Sequence, residues 1–367
     1  MKTQLSPDII EVLNALHYRP ALSLILPMDA QVSLKAEIAH KLKIAADNAA
    51  RELRRDYPEE QCALMTKKLQ SLLEGLILPA DKKGIAIYVS PVFEKVLYTD
   101  CSVTEKLVID ESFEIRDLLY DAKQHHKVLL LVLSGQETKI FLGDRGTLQP
   151  LPSNIPQSIY DYVPDGPERI GNFSDVSEHK QVVVDNFLRH IDEELGNLIH
   201  EYSLPVLLLG AERILGHFGK ISKHTSAIIG QEAGNYEHAT LTELQEVIAP
   251  CLASLQKQRE CELLVRLDEA AGQQRLAKGV YDVWRAAAEG KGQLLVVERN
   301  YSFLARHSAE PGMIEALTEP YDHFSYIRDA VDDALEKVLK GGGDAEFVAD
   351  GVLGDFGHVA LVKYYAP

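Results

Sequence analysis

The chain has 367 residues, with 55 acidic side chains against 38 basic ones and a formal charge of −17. That excess of carboxylates excludes a protein that coats nucleic acid through indiscriminate phosphate contacts, although a local basic contact survives because fields fade over about 8 Å at physiological salt. Hydrophobic content of 46% and charged content of 25% describe a globular protein too long for one ordinary core.

No apolar run approaches the roughly 20 residues of a membrane span, and the opening residues Met1–Asp8 lack the apolar core of a secretion signal. A cytoplasmic location is expected. Cys62, Cys101, Cys251 and Cys261 show no Cys-x-x-Cys spacing, so reduced thiols are expected rather than a metal centre.

Residues 1–125 are expected to form an α/β domain. Leu22 to Leu26 is a short apolar strand stopped by Pro27. A long helix is expected from about Ser33 to Asp56, with Ile38, Leu42, Ala45, Ala49 and Leu53 on its buried side. Tyr57-Pro58 ends it, because the residue before a proline is pushed out of the α conformation. Its other faces carry Lys35, Lys41, Lys43, Arg51, Arg54 and Arg55 among Glu37, Asp47, Glu52 and Asp56, either a solvated surface or a patch for RNA. A second helix runs through Leu64, Leu69, Leu72 and Leu73 towards Pro79, Gly84–Val89 and Lys95–Tyr98 are strands, and Phe113 to Tyr120 is a closing segment.

At His125-His126-Lys127 the composition changes, and residues 126–245 form the second expected domain. Val128–Leu133 is apolar at every position, the mark of a strand interior to a sheet, and Lys139–Gly143 returns beside it after the turn Ser134–Glu137. From Gln149 to Asp175 a proline-punctuated polar stretch has no usable apolar period, and loops beyond about 12–15 residues are usually functional or disordered. Then Val184, Leu188, Ile191, Leu195, Leu198 and Tyr202 recur in steps of four and three, one stripe of a helix of about 25 residues, opened by Ser177 or Asp175 as N-cap. A strand follows Pro205, a helix passes through Ile214 and Phe218, and a strand lies near Ala227.

Residues 246–367 form the third expected domain, although its first helix starts earlier, running from Leu241 to about Arg266 with an interruption or kink at Pro250. A helix through Val280, Val283 and Trp284, the strand from Gln293 to Glu298, a polar excursion, and a helix from about Ile327 to Lys340 closed by Gly341-Gly342-Gly343 come next. Alternating helix and strand again implies an α/β sandwich.

The closing residues carry a resemblance. The helix ending in glycines, the strand Ala345–Ala349 and the terminal strand Phe356-Gly357-His358-Val359-Ala360-Leu361-Val362-Lys363-Tyr364 resemble the C-terminal domain of the archaeo-eukaryotic class-1 release factors and of Pelota, with Lys363 where that family usually has arginine. The middle order of sheet, protruding loop and long helix is similar to the release-factor middle domain. The chain is thus identified as a bacterial member of that superfamily, similar to ribosome hibernation factors of the Balon type. The resemblance implies an α/β fold in three domains, set apart as in a tRNA-shaped molecule: an N-terminal domain, an RNase-H-like middle domain with protruding loop 149–177, and a ribosomal-protein-like sandwich.

It also implies a function. The family's Gly-Gly-Gln tripeptide, whose glutamine positions water at the peptidyl-transferase centre, is absent between Gln149 and His179, and the near match Gly272-Gln273-Gln274 reads as a turn. The codon-reading motif Asn-Ile-Lys-Ser is absent as well. The expectation is therefore a monomeric, non-catalytic occupant of the ribosomal A site in hibernation or rescue. It would need no cofactor or metal, would contact ribosomal RNA and a translational GTPase such as EF-Tu, and would bind neither membrane nor DNA. The alternative is a hydrolase acting on peptidyl-tRNA or RNA. Arg169, Gly171, Asn172, His179 and Lys180 sit on or beside the loop and the start of its helix. They offer donors for phosphates and base edges and a glycine for close backbone approach, a kind of contact that suits exposed RNA bases. The plain alternative is an ordinary polar loop. A two-metal nuclease would need clustered carboxylates, and the middle strands offer only Asp144 and Glu137.

Overall fold

Ser6 opens the first helix, α1 (Pro7–Leu13), by accepting from the N–H of Ile9 at 3.4 Å, with Pro7 at the position where a missing N–H is harmless. The structure, a computed structural model, describes residues 5–15, 19–28, 35–79, 82–123, 127–134, 138–144, 147–156, 176–308, 310, 312–317 and 326–366. Its contacts divide the chain into two units, Met1–Gln124 with Arg259–Pro367, and His125–Gln258.

In the first unit, β1 (Ala21–Pro27), α2 (Lys35–Asp56), α3 (Glu59–Glu74), β2 (Gly84–Val89), β3 (Glu94–Thr99), β4 (Lys106–Asp110) and α4 (Arg116–Lys123) follow in order. The strands form an antiparallel sheet, β3-β2-β1-β4. Side chains alternate between its faces. Leu22, Leu24 and Leu26 meet Ile38, Leu42 and Leu53 of α2 and Met65 and Leu69 of α3, while Ile25, Ala86 and Tyr88 face a second core. The expected closing segment Phe113–Tyr120 is the lead-in to α4 and its first turns, and β4, which the sequence did not announce, precedes it. The charged ends Lys106 and Asp110 hide a short strand whose centre, Val108, is buried, and Phe113 and Ile115 are buried before α4 begins.

The second unit contains β5 (Val128–Leu133), β6 (Thr138–Asp144), β7 (Thr147–Pro150), α5 (Val176–Tyr202), β8 (Val206–Gly210), α6 (Glu212–Ile221) and β9 (Ile228–Ala233). The order is β7-β6-β5-β8-β9, antiparallel from β7 to β5 and parallel from β5 to β9. Numbered within the unit this is 3-2-1-4-5, the RNase-H-like arrangement the resemblance implied. Both central strands are buried at every position. One face receives Phe187, Leu188, Ile191 and Leu195 of α5. The stripe read from the sequence is therefore the buried one, apart from half-buried Val184 and Tyr202, which is 36% exposed. Phe187 joins it although its spacing lies outside the pattern. The stretch expected to be structureless from Gln149 starts later: β7 takes its first residues, Leu151 donates to Ile140 at 3.0 Å, and Ile155 is buried.

Next, α7 (Leu241–Gly272) runs through Pro250 without ending. The expected boundary at 245/246 lies inside this helix and is corrected to 258/259. The reason is packing: Leu244 and Ile248 cover the free face of the second unit's sheet, whereas Leu267 and Ala270 belong to a core of the first unit. Gly272-Gln273-Gln274 is the end of α7, with Gln274 left-handed at φ 57° and Arg275 donating back to Ala270 at 2.8 Å, a helix stop. The turn reading holds.

Back in the first unit come β10 (Leu276–Lys278), α8 (Gly279–Ala288), β11 (Gly292–Glu298), β12 (Ala305–His307), β13 (Ile314–Ala316), β14 (Tyr326–Ile327), α9 (Ala330–Lys340), β15 (Asp344–Val348) and β16 (Val359–Lys363). The main sheet is β10-β16-β11-β15, with only β11 and β15 parallel. The polar excursion after Glu298 holds a small sheet, β13-β12-β14. Gly342, at φ 79°, and Gly343 close α9 as expected, Gly343 donating to Val338 at 2.9 Å. Where the sequence sets residues 1–125 and 246–367 apart, one continuous core joins Ile25, Tyr88 and Leu118 to Leu335, Phe347 and Leu361.

Candidate functional site

Of the five residues expected to contact RNA, Arg169, Gly171 and Asn172 lie outside the described residues, as do His125, His126 and Glu137. His179 and Lys180 fall in the first turns of α5, near the pole where free N–H groups favour anions. Further along, α5 is tied down on its polar side. Asp185 meets His217 of α6 at 2.6 Å, and buried Asp192 accepts from Ser222 Oγ at 2.6 Å and the Lys223 N–H at 3.0 Å. A helix held along its apolar and polar sides makes a firm support for whatever its first turns contact.

A second surface lies on α2. Lys41, Arg51 and Arg55 fall on one stripe with Asn48 and Ile44; the three cations are exposed, and Ile44 is 47% exposed. Arg51 donates to Asn48. Glu37 and Asp47 flank the stripe without interrupting it. In a chain of charge −17 this is a local cationic strip of the kind phosphates accept.

The most developed polar arrangement sits where the two chain segments of the first unit meet. Arg116, 4% exposed, donates to the Tyr301 carbonyl and to Asp329 Oδ2, each at 2.6 Å. The other oxygen of Asp329 caps α9 by accepting from the Val331 N–H at 2.9 Å. Lys123 reaches Asp344 at 2.6 Å and Glu346 at 3.1 Å. Burial pushes the Glu114 carboxyl above its ordinary range against the pull of Lys106 and Arg116. Burial and then Glu114 push Asp332 well above its own, with Arg116 opposing. Sequence reading missed this junction. Its one visible signal is that Asp332 and Glu336, four apart, share a helix side with apolar Leu335.

Glu298 braces the closing residues that carried the resemblance. Burial opposes its charge, yet N–H groups of Gly351 and Leu353 and the ring of His358 hold it below the usual carboxylate range. Gly357, at φ 70°, stands where a Cβ would lie 3.1 Å from the Gly279 backbone, so only glycine fits that turn.

As to catalysis, β5 and β8 carry no carboxylate, and among the described residues no three His, Cys, Asp or Glu side chains are grouped to hold a metal. Asp144, the carboxylate the sequence singled out there, is the last residue of β6.

The second unit is thus an RNase-H-like domain with a long supporting helix. Residues 129–291 match the bacterial archaeo-eukaryotic release factor family 3, a stretch that takes in most of that unit and opens the next. Over that stretch, which is less than half of the chain, the protein is similar to the bacterial archaeo-eukaryotic release factors. A search of curated proteins finds no match. Among solved structures, a model of ribosome-bound archaeal Pelota and ABCE1 is similar at 11% identity, covering 100% of this chain and 96% of that one, with a TM-score of 0.43. The Saccharomyces cerevisiae translation termination-like factor Dom34 is similar at 14% identity over 78% and 74% of the two chains, TM-score 0.39, and the archaeal translation termination factor aRF1 at 14% over 97% and 96%, TM-score 0.24. With TM-scores below 0.5 these add nothing to the family match.

Proposed function

We propose that this protein is a ribosome-associated translation factor that occupies the A site without catalysis, in hibernation or rescue. One observation carries the reading: the stretch matching the release-factor family holds the sheet order 3-2-1-4-5 and the helix α5, which follows the segment where release factors carry their reactive loop. That segment has no Gly-Gly-Gln, and the strands beneath it bring no carboxylate. Both observations support occupancy without hydrolysis. Arg169, Gly171, Asn172, His179 and Lys180 would contact ribosomal RNA at one end, and the cations of α2 would meet phosphates elsewhere. A translational GTPase such as EF-Tu as the delivering partner, and a monomeric state, belong to the same reading.

The test is sedimentation of purified protein with ribosomes through a sucrose cushion. Near-stoichiometric association is expected at low salt, weakening as salt rises, with Lys41→Ala/Arg51→Ala/Arg55→Ala lowering affinity about tenfold. No association with ribosomes from either growing or starved cells would remove the proposal. Turnover of peptidyl-tRNA or RNA by the purified protein, abolished by Asp144→Asn, would replace it with the hydrolase reading.

A further inference from the structure

A cavity of about 220 Å³ opens in the first unit between the end of β4 and the first turns of α9. Its walls are mostly polar, and their charges do not balance. Six carboxylates, Asp110, Glu111, Glu114, Asp329, Asp332 and Asp333, line it against three cations, of which Arg19 is paired with Glu111, Lys337 with Asp333, and Arg328 is exposed, while Arg116, outside the lining, is paired with Asp329. Asp110 accepts from the N–H of Glu111 and from no side chain among the described residues. Asp332 is 6% exposed, and its Oδ1 is buried with no hydrogen-bond partner among the described residues.

An uncompensated buried carboxylate either takes up a proton or acquires a cation, since its desolvation otherwise costs several kcal/mol. The cation that fits is constrained from three sides. A dehydrated divalent metal needs six or more oxygens, and the described residues contain no grouped set of acidic ligands. A single ammonium or guanidinium satisfies one carboxylate, whereas the wall offers two, the enclosed Asp332 and the more exposed Asp110. Between the charged groups, Val108 and Ile327 give the wall apolar surface, against which a methylene chain would lie as lysine stems do.

We propose that this cavity binds an aliphatic polyammonium cation of the diamine and polyamine class, one ammonium held by Asp332 and another by Asp110. The proposal is independent of the ribosomal reading and survives its failure. The groups facing Asp332 are Glu114, Arg116, Asp329 and Glu336, with the Tyr88 phenol also within its field. Burial and the neighbouring acids outweigh Arg116, so the empty site keeps Asp332 protonated to higher pH, and the ligand displaces that proton. Binding is therefore expected to strengthen as pH rises through the raised Asp332 value.

The experiment is calorimetric titration of the full chain with putrescine, with butylamine, and with MgCl2, at constant ionic strength. Saturable one-to-one binding of putrescine is expected, at least tenfold tighter than butylamine. Asp332→Asn and, separately, Asp110→Asn should each weaken it at least tenfold, with circular dichroism confirming that the variants fold. Asp110 stands at the more exposed end, so its variant still decides the matter if Asp332→Asn misfolds. Equal binding of putrescine and butylamine would make this a site for one cationic head, such as a partner's lysine, and would overturn the proposal. So would an equal response to MgCl2, indifference to Asp110→Asn, or no saturable heat.

Discussion

The central sheet of the second unit and the segment junction of the first are both buried, but they are held by opposite means. Around β5 and β8 there is only hydrocarbon, and the energy comes from removing apolar area from water, which is indifferent to direction and salt. At the junction the buried groups are Glu114, Arg116, Asp121, Lys123, Asp332 and Glu336, and each is tolerable only while its neighbours remain in place. The first kind of interior accepts any side chains of the right volume, whereas the second fixes which residue faces which. Holding Met1–Gln124 against Arg259–Pro367, segments far apart in the chain, calls for that second kind of specification.

The contrast can be broken most forcefully at Arg116. Arg116→Ala leaves Asp329, Glu114 and Asp332 buried without their shared cation, and a loss of about 3–5 kcal/mol is expected in urea denaturation, smaller at acid pH where the carboxyls are neutral. Leu131→Ala in β5 should cost about 2–5 kcal/mol, and its cost should hardly move with salt or pH. Were the two variants to share one pH profile, the distinction would fail.

Glu298→Gln sharpens the comparison within the first unit. The folded carboxyl lies below its ordinary value, so its contribution is fully present above the unfolded pKa of about 4.3 and is lost as pH falls through the folded value. The variant should be less stable by about 1–3 kcal/mol at pH 7 and should converge with the parent in acid.

Asp332→Asn has the reverse sign. A folded pKa raised above the unfolded one means that stability is complete below about pH 3.9 and is lost as pH rises through the folded value. The variant escapes that loss and should gain on the order of 1 kcal/mol once pH exceeds the folded value, with nothing gained at pH 3.5. Smallest of all, Lys41→Ala/Arg51→Ala/Arg55→Ala should change stability by less than about 0.5 kcal/mol, so that any lost ribosome association reports contact and not folding.

The legible parts of the fold were those with an unbroken pattern. Val128–Leu133 and Val206–Leu209 announced interior strands because no polar residue interrupts them, and the stripe from Val184 to Leu198 announced α5. Less legible were short elements with charged ends. Lys106–Asp110 concealed a strand, and Thr147–Pro150 lay partly inside what looked like an irregular loop. Pro250 suggested a break that α7 does not make, because packing at Leu244 and Ile248 before it and at Leu267 after it outweighs one missing hydrogen bond. Of the candidate site, composition marked the α2 cations and the start of α5. It gave no hint that Arg116 and Asp329, 213 positions apart, would meet.

What the sequence by itself determined is local: periods of two and between three and four set the strands and helices, and glycines ended α9. Only the tertiary structure decided that the first and last thirds share one core, that the division from the middle third falls within α7, and that Asp332 lies buried beside a cavity. Periodicity records which side of an element avoids water, and that is a property of neighbouring residues. Partner choice across a fold depends on distances between residues remote in the chain, which leave no mark on local spacing.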